Sequence, residues 1–226
     1  SPRLGFALRI STPTPTPRVA RRSASTSSDG GGETGVVSAA MHFLEDKKRL
    51  VDCLSPEDYA AVDAVVGASI GGHLRHTLDH FSKCLLAAAQ PSSDDYAAPT
   101  TTTVAIRYDH RVRGGSIETD PAAASKSISS LLQQLQTLPR DAARLRAKRV
   151  APTFMLGGGG RVEHEFDSNL ERELFFCCHH GTHHDAMIQL ILRRMGEKGE
   201  VALSQAGKGF GVAPSTIDFL KKQHQE

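Results

Sequence analysis

From residue 36 to 54 the apolar side chains Val37, Ala40, Phe43, Leu44, Leu50, Val51 and Leu54 recur near helical spacing. That pattern predicts an amphipathic helix ending at the Ser-Pro-Glu-Asp turn at 55–58. After the turn-rich "YAAVDAVVGA", Ser69 is placed to cap a second helix, "SIGGHLRHTLDHFSKCLLAAA", which stops at Gln90-Pro91. Residues 91–103 read as a loop, and 104–120 as polar and irregular. A third helix starts at Asp120-Pro121, an N-cap followed by the first helical position, is interrupted at Pro139 and resumes through "RDAARLRAK". Two short β-like runs flank the glycines of "RVAPTFMLGGGGRVEHEF" and predict a small hairpin. The glycines read as a flexible turn and not a phosphate loop, because G-x-x-x-x-G-K-[ST] is absent. The fourth helix opens on a capping box, Ser168 with Glu171, and runs to Gly196; a short final helix lies in the tail. Four substantial helices with long connections predict an all-α fold, a four-helix bundle.

Composition narrows the function classes. The chain has 226 residues, 39% of them hydrophobic, with a formal net charge of +2. That length suits one domain with a real core. Aromatics make up 5% and tryptophan is absent, so aliphatic side chains must do most of the packing. The near-neutral charge balance supplies no basic stripe for phosphate neutralisation, which argues against nucleic acid as a partner. Nor is there a run of about 18 apolar residues of the kind that spans a membrane. Cys53, Cys84, Cys177 and Cys178 form no C-x-x-C and read as buried free thiols of a reducing, intracellular compartment. Residues 1–35 are rich in Ser, Thr, Pro and Arg and contain no acid before Asp29. This is the composition of a plastid or mitochondrial transit peptide; the other reading is a disordered extension of a cytoplasmic protein. On either reading the folded domain is expected at 36–226.

The chemistry concentrates in "FFCCHHGTHHDAMI", residues 175–188, with four histidines inside six positions. At about 100° per residue, Leu170, Leu174, Cys177, Gly181, His184, Ile188, Ile191 and Met195 form one seam that faces the bundle interior. His184 lies on this seam and His180 close to it, whereas His179 and His183 turn outward. Two inward imidazoles four residues apart can converge on one ion. Without a partner, each polar nitrogen left against an aliphatic seam costs on the order of 1–3 kcal/mol. Gly181 costs about 1 kcal/mol in helix propensity, which is tolerable where something must approach the helix closely. The position after His180 is Gly181, so H-E-x-x-H is absent and a zincin-type protease is disfavoured. A third ligand is expected from the second helix, where "HLRHTLDH" puts His73, His76 and His80 on one face. Its apolar stripe, Ile70, Leu74, Phe81 and Leu85, lies closest to His73 and farthest from His76, and periodicity does not choose among the three.

These residues resemble the DinB-like (DinB/YfiT) superfamily of metal-binding four-helix bundles. In that superfamily one histidine of the second helix and an H-x-x-x-H of the fourth hold the metal. "HGTHH" at 180–184 is similar to the latter. Ser69, followed seven residues later by His76 and then by Asp79, is similar to the second-helix signature. The resemblance therefore implies His76, His180 and His184 as ligands. It extends over roughly residues 37–220 and includes "YDHRVRGGSIETD", "LERELFF" and "FGVAPSTI". The extra histidines, the "GGGG" insertion and the amino-terminal segment depart from the common pattern.

What the resemblance implies is a divalent ion, zinc or nickel, and an enzyme of hydrolase or low-molecular-weight-thiol transferase type acting on a small molecule. Members of that superfamily include metal-dependent transferases acting on bacillithiol and a mycothiol-dependent isomerase. The rival class is a non-catalytic, stress-associated or structural metal-binding protein. A homodimer is compatible with either. Arg111 or Arg113, in the charged segment between the second and third helices, is expected to help line an anionic substrate pocket; the alternative is a solvated loop with surface ion pairs. Deletion of residues 1–35 is expected to leave the melting temperature unchanged, and a substantial drop in a thermal melt would show that the segment packs on the bundle.

Overall fold

The computed structural model describes residues 35–90, 103–110, 114–157 and 162–223. Every described residue belongs to one compact unit, 33–226. The expected amino-terminal extension (but for Gly35), the 91–103 loop (but for Thr103), residues 158–160 of the glycine turn, and Arg111 and Arg113 lie outside the described residues.

Eight α-helices are described: α1 (Val36–Val51), α2 (Pro56–Ala60), α3 (Ile70–Ala89), α4 (Pro121–Gln136), α5 (Ala142–Ala147), α6 (Leu170–Arg194), α7 (Glu197–Gln205) and α8 (Pro214–Gln223). The four longest correspond to the four predicted from periodicity. They close a ring in which α1 and α3 each pack against both α4 and α6. Local chemistry fixes where they begin. Ser69 Oγ accepts from Gly72 N–H at 3.0 Å at the start of α3. Asp120 accepts from Ala122 N–H at 2.8 Å at the start of α4, with Pro121 next. Ile70, Leu74, Leu78, Phe81 and Leu85 of α3 meet Leu170, Leu174, Ile188 and Leu192 of α6 within one buried cluster.

The all-α expectation needs one correction, a small mixed sheet at one side of the helices. β2 (Arg149–Met155) pairs antiparallel with β3 (Glu163–Glu165), Thr153 opposite Glu165, where the hairpin was expected. It also pairs parallel with β1 (Val104–Arg107) and antiparallel with β4 (Ser168–Asn169). β1 had read as irregular because it has four residues and one inward side chain, Ile106. Its partner is more than 40 positions away in the chain, so no local pattern announces the pairing. α2 and α7 were likewise too short, or too weakly periodic, to stand out. The start of α6 also shifts. Asn169, not Ser168, is the N-cap and accepts from Arg172 N–H at 3.0 Å. Ser168 sits in β4 opposite Val150, and its hydroxyl donates instead to the buried Glu173 carboxylate at 2.6 Å. All four cysteines are free, but Cys53 is exposed where burial had been expected.

Two contacts set how α6 lies on its neighbours. A Cβ built on Gly181 would fall 2.4 Å from Phe43 Cζ of α1 and 3.0 Å from Thr77 Cγ2 of α3. Glycine lets the Phe43 ring and Thr77 pack directly against the α6 backbone there, and a side chain would have to push the ring aside. One turn further along, Lys47 of α1 and Asp185 of α6 form an ion pair at 2.6 Å, with side chains 0% and 4% exposed. Burial pushes the Lys47 ammonium down and the Asp185 carboxyl up from their usual ranges, and their mutual attraction opposes both shifts. The ammonium also rests 3.1 Å from the centre of the Phe43 ring. Lys47→Met is expected to destabilise the protein by about 3–5 kcal/mol, because the Asp185 charge stays buried without its partner. Lys47→Met with Asp185→Leu is expected to recover most of that loss, as read from urea unfolding of both variants.

Candidate metal centre

α3 and α6 run side by side, and their facing sides carry five of the chain's eleven histidines. His76 Nε2 lies 2.9 Å from His180 Nε2, and His184 Nε2 lies 3.1 Å from His180 Nε2. The donor atoms of these three residues all fall within 4.8 Å of one another, and each residue is half-buried. His180 and His184 converge because they are one helical turn apart on α6. His76 reaches them from α3, whose phase is fixed by its Ser69 cap.

The crowding at His180 Nε2 has a chemical meaning. A ring nitrogen has either one in-plane hydrogen or one in-plane lone pair. It therefore cannot make two directed hydrogen bonds, yet two other nitrogens sit within 3.1 Å of it. A cation shared by three lone pairs satisfies all of them. Metal–nitrogen bonds of about 2.0–2.1 Å place neighbouring nitrogens about 2.9 Å apart at right angles and about 3.3 Å apart at tetrahedral angles. The two separations seen here fall in that interval. Burial, followed by the neighbouring His180 and His73 imidazoles, pulls the His184 pKa down to about 3. It is therefore neutral at pH 7 and has a lone pair to give. The three residues present thus fit a divalent ion.

The remaining histidines divide into supports and bystanders. His80 is buried, and its Nδ1–H donates to the His76 carbonyl at 2.9 Å. Its ring packs 4.5 Å from that of His76 and 4.6 Å from that of His180, centre to centre. His73 is half-buried, with Nδ1 3.0 Å from His184 Nδ1, on the far side of that ring from the convergent nitrogens. Periodicity could not choose His76 because α3 is covered on several sides, by α2, α4, α6 and β1, so its buried arc is wider than one stripe. His179 and His183 are exposed, as the helical turn predicted; His179 stacks on Phe175 at the surface.

Sequence reasoning missed the wall behind the triad. Tyr108, which had been placed in a charged connection, is 1% exposed and stacks on His80 with ring centres 4.8 Å apart. Phe176 stacks on His180 at 5.6 Å, and Phe154 of β2 packs against both Tyr108 and Phe176. Burial, with Cys177, Cys84 and Glu173 nearby, holds the Tyr108 phenol far above its usual range, so it stays a donor. It donates to Glu173 at 3.0 Å, a fully buried carboxylate that also accepts from Ser168 and Arg172. The visible signal for Glu173 was its place beside Leu174 and one turn before Cys177 on the inward side of α6. For Tyr108 there was none, since its position depends on the parallel β1–β2 pairing.

No family model matches the chain. FK506-binding protein 5 of Rhizopus delemar (strain RA 99-880 / ATCC MYA-4621 / FGSC 9543 / NRRL 43880) is 27% identical over 153 residues, which is 67% of this chain and 37% of that protein. The chain thus spans little more than a third of the length of that relative. No solved structure matches.

One divalent ion per chain is expected by elemental analysis of the purified protein. His180→Ala and His184→Ala should each abolish it, while His183→Ala should leave metal content intact.

Proposed function

We propose that this chain is a divalent-metal-dependent enzyme of the DinB-like superfamily, a hydrolase or a low-molecular-weight-thiol transferase, with His76, His180 and His184 holding zinc or nickel. The observation that carries the reading is a triad of convergent Nε2 atoms with no fourth His, Cys, Asp or Glu joining them among the described residues. Structural zinc sites are closed by four protein ligands, whereas catalytic sites keep a position for water or substrate. A bound ion at such a site lowers the pKa of a water or thiol and supplies a nucleophile at neutral pH.

The chain's own residues prepare that chemistry. Burial keeps His184 neutral, and His80 pins the backbone carbonyl of His76. Tyr108, Phe154 and Phe176 form an aromatic wall on one side of the histidines, with Tyr108 buried and the other two half-buried. A small thiol or a hydrolysable small molecule suits such a half-open, neutral site, since thiolate is a good ligand for zinc. The bundle topology, the Ser69-to-His76 interval and the pair at 180 and 184 together support the superfamily. The matched region is a minor part of FK506-binding protein 5, so that protein's named ligand is not carried over.

Cobalt substitution separates catalysis from a purely structural or stress-associated role. Addition of a small thiol to the cobalt-loaded protein is expected to shift the visible ligand-field bands and add a sulfur-to-metal charge-transfer band. A spectrum indifferent to thiol, azide and water exchange would indicate a closed centre and favour the non-catalytic class.

A further inference from the structure

His73 stands outside the triad yet touches it in one specific way. Its Nδ1 faces His184 Nδ1 at 3.0 Å. One of these two atoms must carry the hydrogen, and the choice decides which lone pair His184 presents to the triad. If His73 donates, the His184 proton sits on Nε2 and that atom cannot bind a cation. If His184 donates, its Nε2 lone pair is free and aimed at His180 Nε2 and the centre of the group. In the second arrangement His73 holds its own hydrogen on Nε2.

That Nε2 atom is buried and has no hydrogen-bond partner among the described residues. An unpartnered buried nitrogen is costly, and an apolar ring at position 73 would avoid the cost. Packing alone therefore does not account for a histidine here. An acceptor for His184 Nδ1–H does. Metal-binding histidines commonly donate their second N–H to a carboxylate, carbonyl or other acceptor, which fixes the tautomer and ring orientation. Neither α3 nor α6 offers His184 a carboxylate for this purpose. Asp185 is taken up by Lys47, and Asp79 is held by Arg75 at 2.7 Å.

The geometry points to His73 as a positioning residue that accepts the His184 Nδ1 proton and so holds His184 Nε2 ready for the ion. This rests on the reading of His76, His180 and His184 as the ligands. It adds a fourth histidine that shapes affinity without entering the coordination shell.

The test uses the full chain and zinc, with affinity from competition against a chromophoric chelator. His73→Phe keeps a ring but removes the acceptor; it is expected to weaken zinc binding by roughly 10–100-fold while one ion per chain still binds at saturation. His73→Asn, whose carbonyl oxygen falls near the lost Nδ1, should restore most of the affinity. The metal-free His73→Phe protein loses the hydrogen bond to His184 but also sheds the unpartnered Nε2, so its melting temperature should stay close to the parent's. In zinc-loaded wild type, nitrogen-15 NMR should show His184 protonated on Nδ1. Unchanged affinity in His73→Phe, or a His184 protonated on Nε2, overturns the proposal. Complete loss of zinc in His73→Phe also overturns it, by making His73 a ligand. So does a lowered metal-free melting temperature shared by both variants, which would mark a packing role. Retention of zinc by His180→Ala and His184→Ala is a separate result and would defeat the triad itself.

Discussion

The close approach of α6 to α1 and α3 at Gly181 is the constraint on which the rest of the structure depends. A side chain at that position would have to displace the Phe43 ring, since a Cβ would fall 2.4 Å from Phe43 Cζ and 3.0 Å from Thr77 Cγ2. Imidazoles on neighbouring helices meet at their tips only when the backbones lie close. Gly181 directly follows His180, so the point of closest packing and the point of convergence fall on the same turn. The weak helix propensity of glycine is tolerated there because neighbouring turns of α6 are buried on both sides of it, by Leu174 and Cys177 before and Ile188 after.

Two kinds of polar group hold this packing in register. Lys47 and Asp185 tie α1 to α6, and Glu173 gathers Tyr108, Ser168 and Arg172 at the other end of the same helix. Both lie in otherwise apolar surroundings, where a misplaced partner would be left unsatisfied. They therefore specify one rotation and one translation of α6 among the alternatives that apolar contacts alone would tolerate. The triad inherits that placement.

Much of this was legible in the sequence, and the limits have a physical pattern. The four long helices were readable because each repeats its apolar positions over many turns and begins at a recognisable cap. The orientation of His180 and His184 followed from the same periodicity. The choice of His76 did not, since α3 is buried over too wide an arc for a stripe to have a centre. The sheet, Tyr108 and the aromatic wall were not legible because they depend on β1 pairing with a strand far along the chain. Glu173, Lys47 and Asp185 were hidden for another reason: a charged residue reads as surface until its partner is found, and Lys47 and Asp185 pair across helices while Glu173 meets Tyr108 from a distant part of the chain.

The stacking of Tyr108 on His80 puts an intrinsic ultraviolet chromophore beside the histidine triad. The chain has no tryptophan and three tyrosines, so phenol rings dominate its ultraviolet emission. One of them sits against a histidine whose ring touches both His76 and His180. An ion with a partly filled d shell, such as nickel, provides a non-radiative path for an excited phenol at that range; zinc, with a closed shell, does not. Were the proposed triad to hold either ion, tyrosine emission would differ between the two metals, and Tyr108→Phe would test whether this ring reports it.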